Sequence, residues 1–276
     1  MSQVWLITGC SSGFGRTLAE AALAAGHSVA LTARQPDQLA ELVAKHPETA
    51  AAFPLDVTDL TSVDAAIAGA VERFGRLDVL VNNAGYGLLA ALEETTDEQL
   101  RRNLETNLVG PLRLMRAVLP IFRKQGGGRI LNMSAAAAIT NYAGFGVYGA
   151  GKAALEAASE AVAAEAGPFG VKVTCVVPGP FRTDFIARSL DRATAMPEYA
   201  GTVGRFGTML GRIDGKQAGD PAKAAAAMLA VAAAPNPPAR LVLGKYAYDK
   251  FDKKLAAVRA DLDAWAAVGK PTDFTS

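Results

Sequence analysis

Short apolar segments alternate with longer amphipathic segments along most of the chain. The short segments are rich in valine, isoleucine and leucine, whereas in the longer ones apolar positions recur every three or four residues. Strands separated by helices of about a dozen residues indicate a parallel sheet with helices on both faces, which is an α/β, doubly wound fold. The predicted strands are residues 4–8, 27–32, 51–55, 77–81, 129–133, 171–177 and 241–243.

Residues 96–124 are predicted to form one long helix. Pro111, next to Gly110, lacks a backbone donor, so we expect the helix to bend around these two residues. Asn107 lies just before the bend, and its amide either serves a site or satisfies the interrupted helix. A second long helix contains Tyr148 and runs to residue 166, and an amphipathic helix over residues 248–267 closes the chain.

Residues 184–220 interrupt the alternation of strands and helices. Glycines recur through this segment between apolar side chains such as Phe185, Phe206 and Met209. A long apolar segment with frequent glycines after the carboxyl end of a strand is typical of a mobile substrate lid, although a plain surface excursion is the alternative. No linker and no internal repeat divides residues 1–276, so we expect a single domain.

Composition and charge narrow the class of protein. The chain has 276 residues, is 50% hydrophobic and carries a formal net charge of +1, so neither nucleic acid nor anionic lipid is an expected partner. No apolar run reaches the roughly 18 residues of a spanning helix, and the N-terminal sequence does not resemble a signal peptide. Cys10 and Cys175 suit reduced core thiols. We therefore expect a soluble cytoplasmic protein with a small-molecule partner.

A glycine-rich turn joins the first strand to the first helix, with the spacing TGxxxGxG from Thr8 onward. Such a turn directs backbone N–H groups and the positive end of a helix toward a phosphate. The spacing differs from the GxGxxG of the commoner dinucleotide-binding turn, and a glycine-rich turn without this function is the alternative. The candidate phosphate-binding residues are Gly9, Ser11, Ser12, Gly13, Phe14 and Gly15.

Arg34 follows the second strand, near the position where an NAD-binding unit usually carries an acidic residue for the ribose hydroxyls. A guanidinium there can bind a ribose 2′-phosphate through two hydrogen bonds. Arg34 therefore favours NADP, although NAD is not excluded and an ordinary surface arginine is the alternative.

Tyr148 and Lys152 lie four residues apart in a predicted helix, so their side chains share one face. A phenol has a pKa of about 10, and an adjacent ammonium favours the phenolate and lowers that pKa. The tyrosine can then act as a general acid and base. By itself a YxxxK sequence is more often an ordinary helix, so this interpretation depends on the rest of the chain.

Several motifs occur in the order typical of the short-chain dehydrogenase/reductase family, which the chain resembles over nearly its whole length. They are Thr8-Gly9-x3-Gly13-x-Gly15, Asp56 after the third strand, Asn82-Asn83-Ala84-Gly85, Asn107, Tyr148-x3-Lys152, and Pro178-Gly179 with Thr183. The resemblance implies a single Rossmann-type domain with a parallel sheet of about seven strands. The N-terminal region is similar to that of bacterial members near the retinol and hydroxysteroid dehydrogenase branch.

The resemblance also implies how a nicotinamide cofactor would bind. The glycine-rich loop would wrap the pyrophosphate, and other motifs would contact the adenine, its ribose and the carboxamide. These contacts would come from Asp56 and Val57 at the adenine, from Asn83, Ala84 and Gly85 at the ribose, and from Thr183, which follows Pro178 and Gly179, at the carboxamide.

Catalysis is implied for the residues around the tyrosine. Tyr148 would exchange a proton with the substrate oxygen as a hydride moves to or from the nicotinamide. Lys152 would hydrogen-bond the nicotinamide ribose and lower the pKa of Tyr148, and Asn107 would hold a water that links Lys152 to solvent.

One position departs from the family pattern. Members usually carry two serines at the end of the fifth strand, and the second serine binds the substrate carbonyl. In a gap-free register Ser134 takes the first position, and Ala135, thirteen residues before Tyr148, takes the second. Either Ser134 replaces the missing serine, or the chain is an engineered inactive variant, or the natural protein binds NADP without turning over a substrate. Loss of one such donor costs about two to three orders of magnitude in rate.

Two functions follow from these observations. The first is an oxidoreductase that transfers a hydride between NADP(H) and a ketone, aldehyde or secondary alcohol, with Tyr148, Lys152, Asn107 and Ser134 as catalytic candidates and no metal. The second is an NADP-binding sensor or pseudoenzyme. Family members assemble through two long helices, so the resemblance implies a homodimer or homotetramer.

Overall fold

The computed structural model of the protein describes residues 2–274, so Met1, Thr275 and Ser276, which the expected domain includes, lie outside the described residues. The described chain forms parallel strands with the following bounds: β1 (Val4–Ile7), β2 (Ser28–Ala33), β3 (Ala50–Pro54), β4 (Val79–Asn82), β5 (Gly87–Leu89), β6 (Gly128–Met133), β7 (Val171–Pro178), β8 (Leu190–Arg192) and β9 (Arg240–Leu243).

Seven of the strands within residues 2–274 form the central sheet, in the order β3-β2-β1-β4-β6-β7-β9. The chain enters the sheet near its middle at β1, winds to one edge through β2 and β3, and then crosses to β4 and builds the other half. The strand order therefore reverses between β1 and β4. This is the doubly wound, Rossmann-type sheet that the sequence predicts.

Helices lie on both faces of the sheet and connect its strands. Their bounds in the described chain are α1 (Gly13–Ala24), α2 (Ala40–Lys45), α3 (Leu60–Phe74), α4 (Asp97–Leu104), α5 (Gly110–Gln125), α6 (Ala136–Ile139), α7 (Gly146–Ala166), α8 (Phe185–Arg188), α9 (Arg205–Ile213), α10 (Pro221–Ala233) and α11 (Lys245–Gly269).

Each face of the sheet packs into an apolar core of its own. Side chains alternate along a strand, so in β1 Trp5 and Ile7 pack into the core with α1 and α10, whereas Leu6 packs into the core with α3, α5 and α7. All three side chains are fully buried. Because both faces are covered, the strands are continuously apolar in sequence, which is the pattern from which they were predicted.

The helix predicted over residues 96–124 is continuous, but its irregular turn lies earlier than expected. Between α4 and α5 the chain forms a π-helical turn, Glu105–Val109, whereas Gly110 and Pro111 begin the regular helix α5. In an α-helix the N–H of residue 111 would donate to the carbonyl of residue 107, and proline has no N–H. The missing donor accounts for a wider turn that contains Asn107, with its side chain fully buried.

The expected lid over residues 184–220 consists of short elements. It contains α8, β8, a π-helical turn and α9, and β8 pairs in parallel with β5 to form a second, two-stranded sheet. The sequence did not predict β5 or β8, because strands of three residues are too short to show a periodicity. Leu210 of α9 is buried in an apolar cluster that also contains Tyr148. The segment therefore covers the tyrosine, while its mobility stays a prediction.

The closing helix α11 is longer than the predicted span of residues 248–267. Its first turns pack against β9 and α6, and Ala247 is buried there. From Asp252 to Trp265 every residue is exposed. Among the helices of residues 2–274, none has both the length and the apolar character that crossing a membrane requires.

Candidate active site

A cleft of about 860 Å³ opens at the carboxyl ends of the central strands. Ligands of open parallel sheets bind at this edge, where the strand order reverses. The volume lies near the upper end of the range of about 300–1,000 Å³ that is typical of small-molecule sites. The predicted site residues in its wall are Gly9, Ser11, Ser12, Gly13, Phe14, Arg34, Asp56, Val57, Asn83, Ala84, Gly85, Asn107, Ser134, Tyr148, Lys152, Pro178, Gly179 and Thr183.

Hydrogen bonds of Thr8 and Asn83 fix the glycine-rich loop against the end of β4. The Thr8 hydroxyl oxygen accepts from the backbone N–H groups of Asn83 (2.9 Å) and Ala84 (2.8 Å). The Asn83 amide donates in return to the carbonyl oxygens of Thr8 (2.7 Å) and Gly9 (3.2 Å). The backbone N–H and the side-chain nitrogen of Asn83 are thus both engaged, so its expected contact with a ribose would have to come from its carbonyl oxygens.

Gly13 opens the loop toward the cleft. It has a φ of +56°, which glycine adopts without strain, and it begins α1. A Cβ at this position would lie 3.7 Å from the Cβ of Thr183 across the cleft. The side chain of the preceding residue, Ser12, makes no capping hydrogen bond to α1. The first N–H groups of the helix therefore face a space that a phosphate can occupy.

Gly15, in contrast to the prediction, is not part of the cleft wall. It is buried, and a Cβ on it would lie 2.3 Å from the carbonyl oxygen of Gly9 and 2.5 Å from the side-chain nitrogen of Asn83. Glycine is required here because the first turn of α1 approaches the loop backbone closely. Its contribution to ligand binding is therefore indirect, through the position of the loop.

Arg34 and Asp56 lie where β2 and β3 end at the cleft. The carboxylate of Asp56 accepts hydrogen bonds from the backbone N–H (2.9 Å) and the hydroxyl (2.7 Å) of Thr58. Burial opposes ionisation of Asp56, but the hydrogen bonds from Thr58 and the charge of Arg34 outweigh it and hold the pKa below its usual value. Arg34 is exposed at the rim and lines the cleft, so its guanidinium is accessible to an anionic group.

Tyr148 and Lys152 project from successive turns of α7 into the cleft. The Tyr148 ring is buried between Phe145 and Phe185, with centroid distances of 5.2 Å and 5.9 Å. The ammonium of Lys152 donates to the carbonyl oxygen of Met133 at the end of β6 (2.8 Å) and lies 5.9 Å from the centroid of the Tyr148 ring. The two groups are thus neighbours on one face of the helix, as their spacing predicts.

The pKa of Tyr148 differs from the expectation. Burial raises it above the usual value of a phenol, and no lowering by Lys152 offsets this. Burial also lowers the pKa of the Lys152 ammonium to about 8. Both changes have one cause, because a dry environment disfavours the charged form of either group. In this structure the tyrosine is a firmly protonated acid beside a lysine that is still largely charged at neutral pH.

Asn107 is bound by backbone groups on two sides. Its amide nitrogen donates to the carbonyl oxygens of Tyr86 (2.8 Å) and Asn103 (3.0 Å), and its amide oxygen accepts from the N–H of Tyr86 (3.3 Å). A Cβ on Gly85 would lie 2.6 Å from the amide oxygen of Asn107 and 3.5 Å from the nitrogen of Lys152. Glycine at position 85 therefore allows the asparagine and the lysine to approach the same part of the cleft.

The Ser134 hydroxyl donates its hydrogen to another side chain and so is not placed to donate it to a substrate carbonyl, the role that one of the alternatives gave it. The hydroxyl donates to Oε1 of Glu156 (2.5 Å), and Oε2 of Glu156 accepts from Arg240 (2.6 Å). Ala135, by comparison, packs against the apolar cluster that contains Tyr148. Residue 135 therefore lies next to the cluster around Tyr148, whereas the side chain of residue 134 belongs to a hydrogen-bond network between β6, α7 and β9.

Apolar and aromatic side chains line the other side of the cleft. The Tyr142 and Phe206 rings stack with centroids 5.0 Å apart, and the hydroxyl of Tyr142 hydrogen-bonds that of Tyr246 on α11 (2.9 Å). From the sequence, only the apolar residues of the expected lid, residues 184–220, were predicted to lie here. Tyr142 and Tyr246 were missed, because their contact joins residues 104 positions apart in the chain. The apolar residues in the wall include Phe145, Phe185, Ile186, Leu190, Phe206, Met209, Leu210 and Ile213.

Gln217 is a further site residue that sequence reasoning missed. It lines the cleft and is only 3% exposed, and its amide oxygen accepts no hydrogen bond from the described residues. Among residues 2–274 the amide nitrogen donates only to Asp214, at 3.4 Å. An unpartnered buried amide oxygen is costly, so a donor from an ordered water or from a ligand is its expected partner. The sequence held no clear signal, because a single glutamine between glycines is typical of any loop.

The cleft fits a nicotinamide dinucleotide. The loop from Gly9 to Gly13 and the N-terminus of α1 suit a pyrophosphate, and the ends of β2, β3 and β4 supply polar and apolar contacts next to it. Gly13 supports this fit, because the lack of a Cβ leaves space for a ligand next to the loop. Tyr148 and Lys152 lie beyond the loop, toward the aromatic side.

Comparison with known proteins agrees with this geometry. The family described as short chain dehydrogenase matches residues 3–193. A 3-ketodihydrosphingosine reductase from Bacteroides thetaiotaomicron is 36% identical over 253 residues, which are 91% of each chain.

Two solved structures resemble the whole fold. A short-chain dehydrogenase from Streptomyces avermitilis has a TM-score of 0.93 and 46% identity, covering 99% of this chain and 98% of that one. An alcohol dehydrogenase from the archaeon Thermococcus sibiricus, complexed with 5-hydroxy-NADP, has a TM-score of 0.72 and 27% identity, covering 88% of this chain and 96% of that one. The protein belongs to the short-chain dehydrogenase/reductase family and is an NAD(P)-dependent oxidoreductase.

Proposed function

We propose that the protein is an NADP-dependent reductase or dehydrogenase that acts on an apolar ketone, aldehyde or secondary alcohol, with Tyr148 as the general acid and base. The observation that carries this proposal is the position of Tyr148 and Lys152 between two parts of one cleft. Lys152 lies next to Gly85, on the side of the glycine-rich loop, where the N–H of Ala84 donates to the Thr8 hydroxyl. Tyr148 lies on the other side, among the aromatic side chains.

Proton transfer is the chemistry that this chain would supply. The nicotinamide supplies or accepts the hydride when it is bound. Tyr148, protonated and buried, would donate its proton to the carbonyl oxygen during reduction and take it back during oxidation. The charge of Lys152 would stabilise the phenolate left behind, and its ammonium would then return a proton to that phenolate. Asn107 would hold a water that reprotonates Lys152.

The preference for NADP rests on Arg34. Its guanidinium lies at the end of β2, is exposed and lines the cleft, so it can form two charge-assisted hydrogen bonds with a 2′-phosphate. The Thermococcus sibiricus enzyme, which is similar over most of its length, is described in complex with an NADP derivative. Both observations support NADP as the preferred cofactor.

The substrate is proposed to be moderately apolar. The wall beside Tyr148 is built from Phe145, Phe185 and α9, whose side chains in the cleft are all apolar (Phe206, Met209, Leu210 and Ile213). Burial of an apolar substrate there contributes about 25 cal/mol for each Å² removed from water. The name of the Bacteroides thetaiotaomicron relative indicates a keto lipid, and a substrate of this general kind also agrees with the resemblance to the retinol and hydroxysteroid branch.

A second candidate function is an NADP-binding sensor with little or no turnover. Ala135 favours it, because this position, which packs against the apolar cluster that contains Tyr148, has no hydroxyl. The presence of Tyr148, Lys152 and Asn107 favours the enzyme.

The test is NADPH oxidation by the wild-type protein, the Tyr148→Phe variant and the Tyr142→Phe variant, with a panel of long-chain and cyclic ketones and aldehydes. Tyr142 is a matched control, since its hydroxyl also lies at the cleft but is bound to Tyr246. We expect Tyr148→Phe to reduce the rate by about 10²–10⁴-fold, with NADPH affinity retained and Tyr142→Phe close to the wild type. Equal rates for wild type and Tyr148→Phe would refute the assignment, and NADPH binding without any turnover would favour the sensor.

A further inference from the structure

The outer part of α11 lies in solvent on all sides. The helix has 25 residues, its first turns contact α6 and β9, and its residues from Asp252 to Trp265 are exposed. A helix of about 12–15 residues is only marginally stable in water without tertiary packing. This segment therefore lacks the packing that stabilises the other long helices of the fold.

An apolar stripe runs along the exposed part of α11. Its members are separated alternately by three and four residues, which is the heptad spacing of helices that pair along a seam. Leu255, Leu262 and Trp265 are 64%, 58% and 67% exposed. In heptad notation the a positions are Tyr248, Leu255 and Leu262, and the d positions are Phe251, Val258 and Trp265. A continuous apolar stripe with this exposure is typical of an interaction surface.

The charges beside the stripe complement those of an identical helix in the antiparallel direction. When Leu255 faces Val258 of a second copy, Asp252 faces Arg259 of that copy across the seam. On the other side of the seam Lys254 then faces Asp261 of the second copy. The two-fold axis repeats both attractive pairs, so Asp252, Lys254, Arg259 and Asp261 each face an opposite charge. Lys245, at the first e position, pairs with Asp249 of its own helix.

A parallel pair of the same helices has the opposite electrostatics. In the parallel arrangement a g position lies next to the e position five residues later on the other helix. Lys254 would then lie next to Arg259 of the second copy, and the two-fold axis would repeat this repulsion. Asp252 and Asp261 would face alanines, Ala247 and Ala266, and would gain no partner.

We propose that α11 is an interaction surface for a second copy of this chain, which binds through its own α11 in the antiparallel direction. Tyr248 would pack against Trp265 of the second copy, Phe251 against Leu262, and Leu255 against Val258, each contact occurring twice. Tyr248 and Trp265 are 56% and 67% exposed and Phe251 is half-buried, so the seam would remove the exposed parts of three aromatic side chains on each helix from water. The surface is separate from α4, α5 and α7, which the family resemblance associates with assembly.

Disulfide trapping in the full-length protein tests the direction and the partner together. Tyr248→Cys and Trp265→Cys would be oxidised separately and as a mixture, and the native Cys10 and Cys175 are buried. We expect a covalent dimer in the mixture only. Residues 248 and 265 are about 25 Å apart along a helix, whereas a disulfide needs Cα atoms within about 7 Å. Covalent dimers of the single variants, or none in the mixture, would overturn the proposal.

Charge reversal provides an independent test in which the apolar stripe is unchanged. Asp252→Arg and Arg259→Asp would each place like charges opposite one another, and we expect each to weaken self-association about tenfold in sedimentation equilibrium. The double variant restores the opposite charges and should associate like the wild type. Stronger association of Arg259→Asp would indicate a parallel pair, and unchanged association of both single variants would exclude the seam. Binding of the wild type to vesicles of anionic phospholipid without self-association would assign the stripe to a membrane surface. Each of these three results would overturn the proposal.

Discussion

The hydroxyl of Ser134 donates a hydrogen bond to Glu156, which lies two turns of α7 beyond Tyr148 and is itself paired with Arg240. Glu156 is 3% exposed, so these partners take the place of water around its carboxyl group. The network joins β6, α7 and β9 on the side of α7 that faces the sheet. The Ser134 hydroxyl is therefore engaged by Glu156 in this structure, and position 135 carries an alanine, which has no hydroxyl.

Restoring a hydroxyl at position 135 is expected to increase catalysis. Ala135 packs against the cluster that contains Tyr148, so a serine there can donate to a carbonyl oxygen next to the phenol. We expect Ala135→Ser to raise kcat/KM for ketone reduction by about 10²-fold or more. Initial rates of NADPH oxidation would measure this, and equal rates for both proteins would mean that another donor already orients the substrate.

Removing the neighbouring hydroxyl should affect stability and leave catalysis almost unchanged. Ser134→Ala deletes a donor to the buried carboxylate of Glu156, and loss of a hydrogen bond to a charged buried group costs about 1.5–3 kcal/mol. We expect a lower free energy of unfolding in urea, with kcat within about threefold of the wild type. A loss of activity as large as that of Tyr148→Phe would instead assign Ser134 to the reaction.

Replacement of Arg34 should change the choice of cofactor. Arg34→Ala removes the cation proposed to bind the 2′-phosphate, so we expect KM for NADPH to rise by about tenfold or more while KM for NADH stays the same. Arg76→Ala is a matched control, because Arg76 pairs with Asp78 just before β4, at the opposite edge of the sheet. Equal changes for both cofactors would show that Arg34 does not discriminate between them.

The activity should decrease as the pH rises through the pKa of Lys152. Burial lowers this pKa to about 8, so the ammonium is charged below that pH and neutral above it. Burial raises the pKa of Tyr148, and the phenol therefore keeps its proton over the same range. We expect kcat/KM for reduction to fall above about pH 8, measured from about pH 6 to about pH 10. A constant value up to about pH 9.5 would contradict a role for the Lys152 charge in the free enzyme.

Gln217 is expected to contribute to ligand binding more than to stability. Its amide oxygen is buried without a partner among residues 2–274, so Gln217→Met should leave the melting temperature unchanged or raise it. If the amide binds the cofactor or the substrate, KM for one of them should rise by about tenfold. Unchanged KM values for both, with a lower melting temperature, would assign Gln217 to the structure of the loop.

Sequence by itself determined the features that depend on local periodicity and on short-range spacing. The central strands are apolar on both faces, so their positions and the doubly wound fold could be read from the hydrophobic pattern. Tyr148 and Lys152 share a face because four residues make about one helical turn. The glycine-rich loop was also predictable, since Gly9 and Gly13 have the positive φ values that such a turn requires.

Only the tertiary structure decided what each side chain contacts across the fold. The partner of Ser134 lies 22 residues away and that of Arg240 lies 84 residues away, and no periodicity encodes such pairs. Lys152 was expected to lower the pKa of Tyr148, but burial in the cluster around Phe145 raises it, because desolvation depends on every element packed around a group. Periodicity specifies which face of an element is buried, whereas the chemistry of the site depends on what lies opposite that face.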